Sequence, residues 1–253
     1  MLFLCALIFR AVAIEFRSKQ PGRRWRQTWD VAFSVASVVG SLLVGVALGN
    51  LARGVPLDAR HEIESGFFDL LHPYALLVGL TTLALFAMHG AIYVVMKTEG
   101  TLQTRARGWV RRTIAAFVVC YLATSVATFF SMPHMVEPFE RFPIFLAIPV
   151  LTLLAVANIP REIHHGRELR AFLTSCATTV GLLALFGLGM YPRLVYSQPH
   201  PERSLTIYNA ASSPQTLETM AIIAALGMPL VVGYTVAVYR IFRGKVKVTP
   251  HSY

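Results

Sequence analysis

Residues 74–96 read YALLVGLTTLALFAMHGAIYVVM, an unbroken run with no Asp, Glu, Lys or Arg, closed on its C-terminal side by Lys97. As a helix rising 1.5 Å per residue it covers about 34 Å, slightly more than the roughly 30 Å of hydrocarbon in a bilayer. Five other runs, 31–49, 113–132, 142–159, 171–191 and 219–239, likewise lack all four charged residue types. A shorter run, 1–14, opens the chain. It carries Arg10, with Glu15 following, and it predicts a partial span. No small-residue cleavage site follows it, which argues against a signal peptide. The whole chain agrees with this reading. It has 253 residues, 55% hydrophobic and only 14% charged, with mean hydropathy +0.56. A soluble domain carries about 25% charged residues. The sequence therefore predicts an all-α integral membrane protein, a polytopic bundle forming a single transmembrane domain over 1–253, with six complete spans and a partial first one.

Net charge is +10, and its distribution is informative. Lys plus Arg in the successive connections 15–30, 50–73, 97–112, 133–141, 160–170, 192–218 and the tail from 240 number 5, 2, 5, 1, 3, 2 and 4. This alternation is the signature of the positive-inside rule. It puts the basic loops and the C-terminus in the cytoplasm and makes the charge a topology signal, with no need for nucleic acid. Trp25, Trp29, Trp109, Tyr74 and Tyr191 stand near span ends, where an aromatic belt is expected. Cys5, Cys120 and Cys176 lie in apolar runs without CxxC spacing and read as small buried hydrophobes.

In lipid, helices associate through close backbone approach at small residues. Ser37, Ser41, Gly45 and Gly49 fall four apart and mark a packing face. Ser175, Thr179, Gly181, Gly187 and Gly189 mark another, and Gly227, Pro229 and Gly233 a third. Pro149 and Pro229 predict bends in their helices.

Ionisable groups at membrane depth are the default functional candidates. Arg10 either snorkels to the interface or pairs with a polar ligand head. Glu15 belongs near the interface. His89 is the histidine well inside an apolar run. It can hydrogen-bond a neighbouring helix, meet a proton or a quinone, or ligate a haem, although no second axial histidine lies at matching depth. These three are the quinone or proton-path candidates. No metal-ligand spacing, nucleophile–base cluster or phosphate loop is present, so no catalytic or metal-binding residue is expected in this chain.

Several strings taken together resemble subunit II of cytochrome bd-type quinol oxidases. They are LIFRAVAIEFRSK (7–19), GNL (49–51) with GVP (54–56), FFDLLHPY (67–74), HGAIY (89–93) with KTEG (97–100), and NAASSPQTL (209–217). They occur in order along the chain. The resemblance implies a fold of two four-helix bundles plus one peripheral helix. It implies a heterodimer with a haem-bearing subunit I, which holds haems b and d, oxidises quinol and reduces oxygen with protons taken from the cytoplasm. This chain would hold no cofactor alone, with a structural quinone in some members. Arg10 matches the arginine associated with the quinone and proton region, whereas His89 falls where members differ. The family pattern places Met1 inside its third helix and so implies about two further helices ahead of it. The alternatives are a stand-alone membrane transporter working through bent helices, or a scaffold subunit of another membrane complex.

Overall fold

A computed structural model describes residues 1–246; Lys247, part of the basic tail counted above, and His251 lie outside the described residues. The order is α1 (Leu2–Arg17), α2 (Arg23–Arg53), α3 (Pro73–Lys97), α4 (Gly100–Ser131), α5 (Pro133–Arg141), α6 (Ala147–His164), α7 (Glu168–Met190), β1 (Arg193–Val195), β2 (Leu205–Thr206) and α8 (Pro214–Ile241). A 3₁₀ turn, Pro143–Leu146, leads into α6, and β1 and β2 form a small antiparallel pair between α7 and α8. Six helices are long and apolar enough to cross a membrane, one for each complete run predicted above. The helices overrun the apolar segments: α2 starts eight residues before Val31, and α4 carries its first thirteen residues ahead of Thr113. Local chemistry sets the starts of two spans. Pro73 occupies the first turn of α3 while the His72 side chain caps Tyr74 N–H, and Pro214 and Ser213 do the same for α8.

A close main-chain contact joins α2 and α3. A methyl placed on Gly49 would stand 2.7 Å from the Ala75 Cα, and one on Gly45 would stand 2.7 Å from the Gly79 Cα. Both distances are well inside van der Waals contact with main-chain atoms. Gly79 meets Val46 and the Leu42 carbonyl in return. Ser37 and Ser41 turn their hydroxyls back to the Phe33 and Ser37 carbonyls of their own helix. Hydroxyls join α3 to α4: Thr81 Oγ1 lies 2.7 Å from Thr124 Oγ1, and the Tyr74 hydroxyl lies 2.9 Å from Thr128 Oγ1. Tyr74 is thus buried between helices and does not stand in the expected lipid-facing belt.

The main apolar core draws on four helices. Met88, Ile92 and Val95 of α3, Val110 and Phe117 of α4, Val156 and Ile159 of α6, and Ala171 of α7 form one buried cluster. A second cluster, Ala52, Tyr74, Met132, Met135 and Met190, closes the opposite end, against which α5 packs.

Four expectations need correction. Pro149 falls in the first turn of α6, where no backbone donor is lost, so it does not bend that helix; Pro160 is the proline inside it. Gly227 and Gly233 meet nothing, and α8 buries none of its residues, so the small positions of α8 are not a packing face toward the described residues. Gly187 also faces open space, although Gly181 packs on Thr152 and Gly189 on Met135. Cys5 is exposed on α1, and Cys120 and Cys176 are only partly covered.

The α2–α3 contact gives a test. Gly49→Ala should destabilise by about 1–3 kcal/mol, since the neighbour is main chain and cannot yield. Gly227→Ala, in open space, should be neutral or stabilising by about 0.5–1 kcal/mol. Thermal unfolding of the purified protein in detergent, compared for both variants, checks the contrast.

Candidate functional site

The chain's polar chemistry gathers at the two ends of the bundle. At one end, Glu168 at the start of α7 accepts from Gln103 Nε2 (2.7 Å) and Arg107 Nη2 (2.9 Å), and it pairs with Lys245 Nζ (3.1 Å). Lys97 Nζ donates to the Phe242 and Gly244 carbonyls at 3.0 and 3.3 Å. The connections 97–112 and 160–170 and the described part of the tail therefore meet. These are the segments the charge alternation assigns to one side.

At the other end, the connection after α2 meets α5 and the loop after α7. Val55 N–H donates to the Tyr196 carbonyl, and His134 Nε2 donates to the Ala52 carbonyl at 2.8 Å. The His134 ring stacks on Tyr196 with centroids 3.9 Å apart, and the Arg193 guanidinium lies over the other ring system at 5.3 Å from the Tyr196 centroid. Gly54, at φ +96°, makes the turn that brings Val55 there; a side chain at this position would also strike Tyr196. Asn50, buried at the end of α2, donates through Nδ2 to the Val46 and Leu70 carbonyls at 2.9 and 2.7 Å, holding the 54–72 connection over the helix end. A cavity of about 760 Å³ opens beside it, walled by Asn50, Arg53, Ser65, Asp69, His72 and Gln198.

Burial, joined by the neighbouring Arg53 charge, holds the His72 imidazole below its ordinary value. Burial also lowers His134, outweighing the opposing effect of the Ala52 carbonyl.

Between the two ends stands His89. Ser175, fully buried on α7, donates its hydroxyl proton to the Phe172 carbonyl (2.7 Å), so its oxygen accepts from Nδ1–H of His89 (2.9 Å). The His89 ring lies against Phe172 at 5.0 Å. This side-chain bridge ties α3 to α7. Arg10 and Glu15 are not brought to His89 or to each other. Arg10 is exposed on α1 with its guanidinium 5.4 Å from the centroid of Phe33 on α2. Glu15 is exposed and pairs with Lys19 at 3.6 Å, one turn on. Gly45 and Gly49 form the α2–α3 contact, while Ser37 and Ser41, both half-buried, bond to carbonyls of α2 itself.

Sequence reasoning passed over Asn50, His134, Glu168 and the role of Ser175. Asn50 and Glu168 sit at span ends, where polar residues are ordinary. Ser175 was legible only as a small residue, because its partner is 86 positions away.

A polytopic helical membrane protein whose ion pairs gather at the ends of its bundle is the class this architecture defines. The chain belongs to the family described as cytochrome bd terminal oxidase subunit II, whose profile matches residues 1–242. It is 29% identical over 269 residues to the cytochrome bd-I ubiquinol oxidase subunit 2 of Escherichia coli (strain K12), covering 94% of this chain and 71% of that protein. It is 31% identical over 268 residues to a probable cytochrome oxidase subunit 2 of Haemophilus influenzae (strain Rd), with the same coverage. The cytochrome bd ubiquinol oxidase subunit 2 of Bacillus subtilis (strain 168) is 30% identical over 247 residues, with 97% of this chain and 72% of that protein covered. In fold, the chain is similar to a chain in the bd oxidase structure from Geobacillus thermodenitrificans, with a TM-score of 0.77 at 15% identity, over 95% of this chain and 72% of the other.

Two predictions follow from the geometry. A double-mutant cycle of His89→Leu and Ser175→Ala should show a coupling of about 0.6 kcal/mol, the usual worth of such a bond in lipid; additive single effects in unfolding measurements would rule out the bridge. His134 binds protons less readily folded than unfolded. Its stabilising contribution is complete above the ordinary value of 6.5 and is lost as pH falls below that through the lowered folded value. Thermal midpoints measured at pH 7.5 and 5.0 should therefore fall less in His134→Gln than in the native protein.

Proposed function

We propose that the chain is the haem-free subunit of a quinol:oxygen oxidoreductase complex, a membrane scaffold on which a haem-bearing subunit I carries electrons from quinol to oxygen. Its membership of the subunit II family along residues 1–242 carries this reading. The placement of charge supports it: six spans contain long apolar runs free of Asp, Glu, Lys and Arg, and titratable groups collect at the two ends. Haems b and d belong to the partner in this reading, and proton uptake takes place from the cytoplasmic side. The arginine-rich end, with the C-terminus, faces the cytoplasm by the positive-inside rule.

Arg10 is the residue of this chain offered to a quinone. Its guanidinium and the Phe33 ring present a cation beside an aromatic face on an open surface of α1 and α2. That pair suits the carbonyl oxygens and flat ring of a quinone head, with the other walls supplied from outside the described residues. Glu15, held by Lys19, is an interfacial residue, and His89, held by Ser175, is a structural one. The transporter alternative depended on helices broken at Pro149 and Pro229; α6 is not broken at Pro149, and family membership sets that alternative aside.

Co-expressing the chain with its genomic neighbour and recording a reduced-minus-oxidised spectrum of the complex purified through a tag on this chain tests the central claim. Haem bands should co-purify, and their absence would reject the assignment. Arg10→Leu should lower both assembled complex and bound quinone, and unchanged amounts of the two would remove Arg10 from the quinone site.

A further inference from the structure

Of the arginines on α4, Arg107 is the one in an ion pair among the described residues, with Glu168. Arg105, Arg111 and Arg112 are exposed, and no carboxylate of the described residues lies within 4.0 Å of them. Helical spacing puts the three around one spot. Ala106, Val110 and Phe117 define the buried face of α4. Gly108 falls at the centre of the opposite face, three residues after Arg105 and three and four before Arg111 and Arg112. Gly108 has nothing within 4 Å of where a side chain would stand, so a bulky group can reach the helix backbone there. Trp109, half exposed, flanks the spot.

The same face changes character one turn further on. Ala115 and Ala116 are exposed and small, and beyond them Val119 and Val126 are exposed and apolar, at 67% and 56%. This stripe begins where the apolar run starts, at 113. A cationic socket at headgroup depth thus continues directly into an apolar track running into the bilayer.

We infer that the outward face of α4 binds an anionic phospholipid, its phosphate held by Arg105, Arg111 and Arg112 over Gly108 and an acyl chain laid along Val119 and Val126. Charge complementarity selects an anionic headgroup. A zwitterionic one brings its own cation to a socket that already holds three. The continuous apolar track selects a lipid over a free anion.

The test uses the purified complex, delipidated and titrated with spin-labelled phosphatidylglycerol or phosphatidylcholine, in native form and in two variants. Native complex should immobilise phosphatidylglycerol in preference to phosphatidylcholine. The triple variant Arg105→Gln/Arg111→Gln/Arg112→Gln should weaken that binding on the order of a hundredfold, at roughly fivefold per arginine. Gly108→Leu keeps every charge but fills the socket; it should weaken phosphatidylglycerol binding at least tenfold, and it decides the matter if the triple variant does not assemble. Equal immobilisation of the two lipids, full binding in either variant, or displacement by millimolar inorganic phosphate would overturn the proposal. So would a photo-crosslinker at position 108 that attaches to the partner subunit and not to lipid, since this face would then be a protein interface.

Discussion

Two helices brought within methyl distance of each other set the frame for the rest of this bundle. Inside a bilayer, apolar side chains gain nothing by leaving lipid for protein, so helices hold together only where their backbones approach closely or where polar groups bond across. At Gly45, Gly49 and Gly79 the main chains of α2 and α3 meet with no side chain between them. That contact fixes α3, and α3 then organises its neighbours. Its hydroxyls meet those of α4 at Thr81–Thr124 and Tyr74–Thr128, its apolar face forms the core with α4, α6 and α7, and His89 reaches across to Ser175.

The polar groups are partitioned along the membrane normal. Glu168 gathers donors from α4 and the end of the chain, while His134, Tyr196 and Asn50 lock the opposite connections over the helix ends. Both arrangements lie where water and headgroups lower the cost of charge, and the interior between them is nearly free of it. A subunit built this way can present long, electrically quiet walls to a partner subunit. The helix α8, tethered through the segment after it to Lys97 and Glu168 but burying none of its own residues, is the clearest such wall.

Charge beyond what these locks use is also placed with purpose. Lysines and arginines on the Glu168 side exceed their acidic partners, and on α4 three of them surround a bare glycine above an apolar stripe. The excess that gives the chain its net charge of +10 is thus concentrated on the side that carries Glu168 and the three free arginines of α4.

By itself, the sequence determined the spans, the alternation of basic and less basic connections, and the glycine-rich face of α2. Each is a local property: a run long enough for hydrocarbon, a count within one loop, a spacing along one helix. It also carried the family resemblance, since the strings around Arg10, His89 and Asn209 are contiguous. Tertiary structure alone decided what each polar residue does. His89 became a bridge because Ser175, far along the chain, packs opposite it. Tyr74 left the expected belt because Thr128 lies across from its hydroxyl. Pro149 failed to bend a helix because a 3₁₀ turn delayed that helix's start. The glycines of α8 meet nothing among the described residues, because small residues permit close approach only where a second helix is placed to use it.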